Sequence, residues 1–267
     1  MRGDDWAADV TGGAVVSRLD TAREALVRYF GFDDFREGQA QVVDAVLAGE
    51  HAVVVMPTGG GKSLCYQLPA TMREGTTLVV SPLIALMKDQ VDALVDRGIA
   101  ATFINSSVDG AELAARLRAL QRGEYRLVYV APERFRSDRF LEALDGTPVS
   151  MLAVDEAHCI SEWGHDFRPD YRRLREARRH LKQPQTIALT ATATPEVRAD
   201  IASELDLGDV RHFIAGFDRP NLTLDVVHTR TEREKLQRTL RIVRSAGGSC
   251  IVYAATRKTV DSIAAAL

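Results

Sequence analysis

The segment "MPTGGGKS" (residues 56–63) combines three consecutive glycines with a lysine and a hydroxyl side chain. Glycines allow successive backbone N–H groups to line a concave loop that approaches phosphate oxygens closely. Lys62 can then reach the β- and γ-phosphates, and the Ser63 hydroxyl can bind Mg²⁺. The pattern G-x-x-x-x-G-K-[ST] is matched except at its first position, where Met56 replaces glycine. The alternative is a glycine-rich turn with an exposed lysine, but the flanking patterns favour a phosphate loop whose binding residues are Thr58, Gly59, Gly60, Gly61, Lys62 and Ser63.

An acidic pair follows an apolar run in "MLAVDEAH" (residues 151–158). At the end of a strand beside the phosphate loop, Asp155 would bind Mg²⁺, and Glu156 would orient and polarise the attacking water. Taken alone, such a pair is usually a solvated helix cap. Coupled to the glycine-rich segment, it predicts a nucleoside triphosphatase with Lys62, Asp155 and Glu156 as catalytic residues.

Aromatic side chains are concentrated directly after the acidic pair, in "CISEWGHDFRPDYRRL" (residues 159–174), although aromatic residues make up only 6% of the chain. Exposed rings beside Arg168 would suit a single nucleic-acid strand, because stacking contributes about 1–3 kcal/mol per base. The alternative is that Trp163 and Phe167 fill the core, which is the commoner fate of large aromatics. Gly164 and Pro169 indicate a loop and favour the binding role.

Basic residues at helical spacing follow this loop: Arg172, Arg175, Arg179 and Lys182. They could track phosphates. An ordinary solvated helix face is the favoured interpretation.

Short apolar runs alternate with helical patterns along the chain and must position these residues. The predicted strands are 52–56, 77–81, 101–104, 126–131, 150–155 and 186–191, and the predicted helices are 62–73, 83–97, 110–121 and 195–205. Continuous apolar strands separated by helices predict an α/β fold with a doubly wound parallel sheet, whose ligands bind at the carboxyl ends of the strands. After a hinge-like stretch at 216–221, strands at 222–227 and 250–254 and helices at 231–244 and from residue 256 predict the start of a second domain.

Composition and local patterns argue against several classes of protein. The net charge is −3, so a nucleic-acid contact has to come from a local patch. The three cysteines, Cys65, Cys159 and Cys250, have no CxxC spacing and predict neither a disulfide framework nor a zinc site. The start of the chain lacks a signal-peptide pattern, and no apolar run could span a bilayer. We expect a soluble cytoplasmic protein without a membrane partner.

Eight segments together resemble the helicase core of the RecQ family of superfamily 2 DNA helicases, from about Ala25 to the last residue. They are "FGFDDFREGQ" (30–39), "MPTGGGKS" (56–63), "SPLIALMKDQ" (81–90), "YVAPERF" (129–135), "DEAHCISEWGHDFRP" (155–169), "LTATAT" (189–194), "FDRPNL" (217–222) and "IVYAATR" (251–257). The phosphate loop and acidic pair recur in many ATPases, whereas the first segment and the aromatic loop fused to DEAH are more specific.

The resemblance implies a RecA-like, P-loop NTPase first domain at 15–215, after a flexible tail at 1–14. It also implies that the cofactors are ATP and Mg²⁺. Phe32 would stack on adenine, with Arg36 and Gln39 reading its polar edge. Residues implied to contact DNA or to couple its binding to hydrolysis are Ser81, Lys88, Gln90, Asn105, Ser106, Trp163, His165, Phe167, Arg168, Thr190 and Thr192.

The same resemblance implies a 3′→5′ DNA helicase of repair and recombination that acts as a monomer on single-stranded and partly duplex DNA. Repair proteins such as single-strand binding protein are implied partners, and the protein would be nucleoid-associated if it is bacterial. The 216–267 segment would be the hinge and an incomplete second RecA-like domain. The segment lacks the motif with the arginine finger, so we expect a helicase fragment that is inactive alone. An RNA helicase and an ATP-gated binding module without turnover stay open as alternatives.

Overall fold

The computed structural model describes residues 17–164, 166–216 and 222–267. The predicted tail at 1–14, His165 and most of the predicted hinge lie outside these residues. The described residues form two compact units that divide near residue 217. The identity of the two units as RecA-like domains with the predicted bounds stays a prediction.

Seven parallel strands form the sheet of the first unit, in the order β3-β4-β2-β5-β6-β1-β7. The strands are β1 (His51–Val55), β2 (Thr76–Val80), β3 (Ala101–Ile104), β4 (Leu127–Val130), β5 (Val149–Val154), β6 (Gln185–Thr190) and β7 (Val210–Ile214). Six of them are the predicted strands, with ends that agree to within one residue. The predicted α/β fold with a parallel sheet is therefore confirmed. Strand β7 was missed because it lies at the sheet edge, where Arg211 and His212 are exposed and interrupt the apolar run.

Eight α-helices belong to the described part of the first unit. They are α1 (Arg18–Ala25), α2 (Gln39–Leu47), α3 (Leu64–Met72), α4 (Ile84–Val95), α5 (Gly110–Gln121), α6 (Asp138–Leu144), α7 (Leu174–His180) and α8 (Pro195–Glu204). Shorter turns are a π-helical turn at Leu26–Phe30 and 3₁₀ turns at Pro132–Arg136, Ala157–Ile160 and Pro169–Arg173. Helix starts follow the expected chemistry: the Asp109 carboxylate accepts from the N–H groups of Ala111 and Glu112, and Thr194 caps α8.

The core lies on both faces of the sheet. Within β1, Val53 packs with residues of α5, α6, α7 and α8, whereas the next residue, Val54, packs with residues of α2, α3 and α4. Both valines are fully buried. The continuous apolar runs in the sequence arise because every residue of a central strand faces one of two covered sides.

The strand order places the strand ends that carry the predicted motifs next to one another. The sequence of neighbours β2-β5-β6-β1 places the carboxyl ends of these four strands side by side. The phosphate loop follows β1, the acidic pair follows β5, Ser81 follows β2, and the "LTATAT" segment overlaps the end of β6. The fold therefore gathers four of the predicted motifs along a single edge.

The second unit contains two helices, α9 (Glu232–Ser245) and α10 (Arg257–Ala266), among its described residues. The side chains of Thr231 and Thr256 cap them by accepting from backbone N–H groups three residues on. The strands predicted at 222–227 and 250–254 are wrong for this structure: their described residues pair with no strand. Apolar alternation alone does not make a strand, because its backbone groups need a neighbouring strand to bond. Leu224 and Tyr253 are accordingly 95% and 88% exposed.

Across the described residues, no helix has the length and apolar character needed to cross a membrane.

Candidate nucleotide and nucleic-acid site

The phosphate loop joins the end of β1 at Val55 to the start of α3 at Leu64. Gly59 and Gly61 have φ values of +83° and +79°, a left-handed conformation that side-chain-bearing residues rarely adopt. At Gly60, a Cβ would lie 3.0 Å from the Pro57 carbonyl oxygen. The conformation of Gly59 and Gly61 and the close carbonyl at Gly60 thus favour glycine at all three positions. Helix α3 starts directly behind it, so the partial positive charge of the helix N-terminus faces the loop.

Met56, which departs from the phosphate-loop pattern, is a core residue. Its side chain is buried, and its backbone N–H donates to the Thr190 carbonyl, 3.1 Å away, extending the pairing of β1 with β6. A Cβ at Gly38 would lie 3.1 Å from the terminal methyl of Met56. The Met56 side chain therefore packs in the core beneath the phosphate loop and does not line the loop itself.

Gln39 and Arg36 hold the phosphate loop from outside. The Gln39 amide Nε2 donates to the carbonyls of Gly61 and Gly60 at 3.1 and 3.3 Å, and its Oε1 accepts from the Arg36 backbone N–H at 2.8 Å. The Arg36 guanidinium donates to the Gly59 carbonyl at 2.6 Å. In this structure both side chains thus organise the loop. Their predicted reading of adenine stays a prediction, as does stacking on Phe32, whose ring is exposed.

Lys62 lies inside the loop. Its ammonium donates to the Met56 carbonyl at 3.1 Å, at the base of the turn. The charge is thereby held within the concave backbone, where it can meet a phosphate.

Asp155 and Glu156 follow β5 in different conformations. The Asp155 N–H continues the sheet by donating to the Val80 carbonyl at 2.8 Å, and its largely buried carboxylate accepts from the Ser81 hydroxyl at 3.4 Å. Burial, followed by the nearby Glu156 charge, raises the pKa of Asp155 to about 6. Glu156 has φ +48° and ψ +45°. Such left-handed backbone at a non-glycine residue costs on the order of 1–3 kcal/mol and is typical of functional sites.

One cavity of about 310 Å³ joins the phosphate loop to the acidic pair. Thr58, Lys62, Ser63, Asp155 and Glu156 all line it. The Ser63 hydroxyl and the Asp155 carboxylate are hard oxygen donors, which suits Mg²⁺, since this ion is usually held by one or two protein ligands together with water and phosphate oxygens. A cation there would also offset the burial of the Asp155 charge. The donor set therefore fits the predicted ion.

Two residues predicted to contact DNA lie in the same cavity. Ser81 is buried beside Asp155, and Gln90 accepts a hydrogen bond of 2.9 Å from the Gln67 amide. Gln67 also donates to the Tyr129 hydroxyl at 2.8 Å. Sequence analysis missed Gln67 and Tyr129; the available signal was a polar residue within the apolar helix "LCYQLPA".

The other residues predicted to line a DNA groove differ in accessibility. Asn105 is buried, and its Oδ1 accepts from the Ser107 N–H at 2.9 Å, which fixes the turn after β3. Ser106 and Lys88 are exposed, and Lys88 pairs with Asp92. Direct contact with DNA stays a prediction for all of these residues.

A chain of polar contacts leads from the acidic pair to the end of β6. His158 Nδ1 lies 3.3 Å from a Glu156 carboxylate oxygen and 2.9 Å from the Thr190 hydroxyl. That hydroxyl in turn donates to the Thr192 carbonyl at 3.1 Å. Thr190 is fully buried, and its predicted role in linking the phosphate site to the DNA site stays a prediction. His158 was not among the predicted site residues.

The aromatic loop presents Trp163 to solvent, with 80% of the residue exposed. The alternative that Trp163 fills the core is therefore wrong. Phe167 is half-buried beneath the Arg172 guanidinium, which lies 5.1 Å from the ring centroid, and Arg168 makes two hydrogen bonds to Asp166. A second cavity, of about 430 Å³, separates Trp163 from the residues after β6, including Thr192.

The basic residues after the loop are engaged within the protein. Arg175 donates to the Ser203 and Glu204 carbonyls, and Arg179 pairs with Asp206 at 3.2 Å. These contacts favour the ordinary-face interpretation. Sequence analysis missed the buried Arg178, which donates to the Leu205 and Asp206 carbonyls beyond α8.

Comparisons with known proteins identify the family of the chain. Residues 36–201 match the model of the DEAD/DEAH box helicase family. The chain is 48% identical to the ATP-dependent DNA helicase RecQ of Bacillus subtilis, over 92% of this chain and 42% of that protein. It is 44% identical to the RecQ helicase of Pasteurella multocida, over 92% and 39%. The resemblance to RecQ helicases is thus confirmed, and the chain spans less than half the length of these relatives.

Solved structures show the fold. The helicase MrfA bound to DNA and AMPPNP superposes with a TM-score of 0.70 at 19% identity, over 94% of this chain and 38% of that one. The Mycobacterium smegmatis helicase Lhr bound to ssDNA and AMP-PNP gives 0.65 at 21% identity, over 94% and 35%.

Proposed function

Because the chain belongs to the DEAD/DEAH box helicase family, we propose that it forms the ATP-binding and ATP-hydrolysing part of a RecQ-type DNA helicase. The longer relatives with which it shares 42–48% identity are described as ATP-dependent DNA helicases. On this proposal the protein moves 3′→5′ along single-stranded DNA and unwinds partly duplex DNA during repair or recombination. It acts as a monomer in the cytoplasm and meets single-strand-binding and other repair proteins there.

One observation carries the proposal. The phosphate loop, Asp155 and Glu156 line one cavity, and Glu156 is joined through His158 to Thr190. His158 and the exposed Trp163 both line the second cavity. Direct contacts therefore lead from the nucleotide site to one wall of this cavity, and Trp163 on its lining is suited to stacking on bases.

The residues divide the chemistry among them. The loop N–H groups and Lys62 stabilise charge on the phosphate oxygens. Ser63 and Asp155 would hold Mg²⁺, which would supply further charge neutralisation. Glu156 orients the attacking water and accepts its proton. His158, within 3.3 Å of that carboxylate, positions it. A strand that moves Trp163 would act on His158 and hence on Glu156, which couples DNA binding to hydrolysis.

Two binding measurements on this chain test the proposal. Calorimetry should show Mg–ATP binding by wild type and strong loss of it in Lys62→Ala. Filter binding at one stated salt concentration should show tighter binding of single-stranded DNA than of RNA. Equal ATP affinity in Lys62→Ala would contradict the phosphate site, and preference for RNA would favour an RNA helicase.

Phosphate release separates a hydrolase from an ATP-gated binding module. In a longer protein that contains this chain and the rest of the second domain, we expect phosphate release with single-stranded DNA to exceed that of its Glu156→Gln variant by about 10²–10⁴, the usual contribution of a general base. Glu156→Gln should still bind ATP. Equal release by the two proteins would favour the module without turnover.

A further inference from the structure

Three side chains of different chemistry meet where the aromatic loop folds back on the turn after Glu156. They are His158, Cys159 and Asp166, and one potential ligand atom from each lies within 4.8 Å of the other two. Cys159 Sγ is 3.7 Å from His158 Nε2 and 3.9 Å from Asp166 Oδ2. In a tetrahedral site with metal–ligand bonds of about 2.0–2.3 Å, the ligand atoms lie about 3.3–3.8 Å apart, which is close to the two distances from Cys159.

The histidine has the orientation of a metal ligand. Its Nδ1 faces the Glu156 carboxylate at 3.3 Å and the Thr190 hydroxyl at 2.9 Å, which leaves Nε2 directed at Cys159. Histidines that bind metals nearly always donate their other ring N–H to a carboxylate or a similar acceptor, because this fixes the tautomer and the ring. The contacts of His158 therefore supply the outer support that a metal site needs.

The donor set selects the class of metal. A thiolate, an imidazole nitrogen and one carboxylate suit Zn²⁺ and similar thiophilic divalent ions, whereas Mg²⁺ requires oxygen ligands. Cys159 and His158 are buried and Asp166 is exposed, so an ion can arrive from the Asp166 side and retain a water as fourth ligand.

We propose that His158, Cys159 and Asp166 form a binding site for one thiophilic divalent cation, separate from the Mg²⁺ site of the nucleotide. Binding joins Cys159 Sγ to the metal and releases the thiol proton to solvent. The metal competes with Arg168 for the Asp166 carboxylate and ties the aromatic loop to the turn that carries His158. The site stands independently of the proposed function.

Co²⁺ is the probe, because a thiolate ligand gives a charge-transfer absorption in the near ultraviolet and a tetrahedral site gives intense visible bands. The reference protein is the Cys250→Ser variant, which lacks the exposed thiol. We expect one equivalent of Co²⁺ to produce both absorptions, Zn²⁺ to remove them, and excess Mg²⁺ to leave them unchanged. No thiolate band in this protein would overturn the proposal.

Two further variants on the Cys250→Ser background locate the ligands. Cys159→Ser should lose the thiolate band, and persistence of the band there would overturn the site. Asp166→Asn changes an exposed residue and should bind Co²⁺ more than about 10-fold more weakly, since loss of even outer-sphere partners costs 10–100-fold. Glu162→Gln, a matched exposed carboxyl of the same loop, should bind like the reference. Equal affinities of Asp166→Asn and Glu162→Gln would overturn the proposal even where Cys159→Ser fails to fold.

Discussion

Gln39 has a structural role at the phosphate loop in addition to its predicted role in binding adenine. Gln39, implied by the RecQ resemblance to read adenine, uses its amide to hold Gly60 and Gly61. It is only 2% exposed, and a Cβ at Gly61 would collide with its Nε2. The position of this amide therefore determines the shape of the loop that receives the phosphates.

Gln39→Ala separates the two roles. We expect affinities for both ATP and GTP to fall, because the lost bonds organise the loop for either base. The Gly60 carbonyl and the Arg36 N–H would lose the bonds that Gln39 makes to them, at a cost of roughly 1–3 kcal/mol, which corresponds to about 5- to 150-fold in affinity. Calorimetry with each nucleotide measures it. A loss confined to ATP would assign Gln39 to the base alone, as the sequence analysis implies.

The three thiols differ in accessibility. Cys65 and Cys159 are buried, and burial raises the pKa of each to about 12, whereas Cys250 is exposed. Only a thiolate is an effective nucleophile. We expect a disulfide reagent to label one thiol rapidly in the native protein and three after denaturation. Rapid labelling that survives Cys250→Ser would contradict this assignment.

At the scale of elements, the aromatic loop is a surface feature fixed at its base. Trp163 points outward, whereas Gly164 lies against the backbone of the 3₁₀ turn, where a Cβ would collide with the His158 carbonyl oxygen. Loop position is thus set by backbone contact, and the exposed ring is available for a ligand.

Trp163→Ala should leave stability nearly unchanged, because exposed substitutions usually alter the free energy of unfolding by no more than about 0.5 kcal/mol. Affinity for single-stranded DNA should fall by the stacking energy of about 1–3 kcal/mol. Phe140→Ala is the matched control: this ring is 2% exposed, and its loss should cost about 3–5 kcal/mol of stability. Chemical denaturation and fluorescence anisotropy provide the two measurements. Unchanged DNA affinity in Trp163→Ala would contradict the binding role.

Gly164→Ala should displace the loop. The added methyl group introduces strain of roughly 1–3 kcal/mol. We expect the exposed loop to move away from the buried turn, which relieves this strain. We expect weaker binding of single-stranded DNA, with a melting temperature close to that of Gly146→Ala. Gly146 serves as the control glycine, because a Cβ added there would have no neighbouring atom within 4 Å. Equal DNA affinity of the two variants would show that loop position does not matter.

At the scale of the whole molecule, the two units differ in how much they bury. Central strands of the first unit are fully buried, whereas α9 and α10 contain no buried residue. Isolated helices of this length are marginal in water, since most helical stability comes from packing.

The rate of amide hydrogen exchange should therefore differ between the two units. We expect amides of α9 and α10 to exchange rapidly and those of β1 and β5 to stay protected up to global unfolding. Mass spectrometry of peptides from the intact chain measures both regions in one experiment. Protection of the α9 amides equal to that of the β1 amides would contradict the inference that α9 is only marginally stable.

Local sequence patterns were enough to predict most strands of the first unit and the residues of the nucleotide site. Continuous apolar runs placed six strands to within one residue, because both faces of a parallel sheet are covered. The phosphate loop and the Asp155–Glu156 pair were recognisable because their chemistry requires particular residues at short spacing. Their meeting at one edge followed from the parallel topology alone.

Only the tertiary structure decided which distant side chains meet. The bonds of Gln39 to the phosphate loop span 21 and 22 residues, and the Ser81–Asp155 contact spans 74. No periodicity encodes such contacts, because they depend on strand order and on the direction in which each side chain points. The strands predicted at 222–227 and 250–254 fail for the same reason: a strand is defined by its partner, and alternation in the sequence does not supply one.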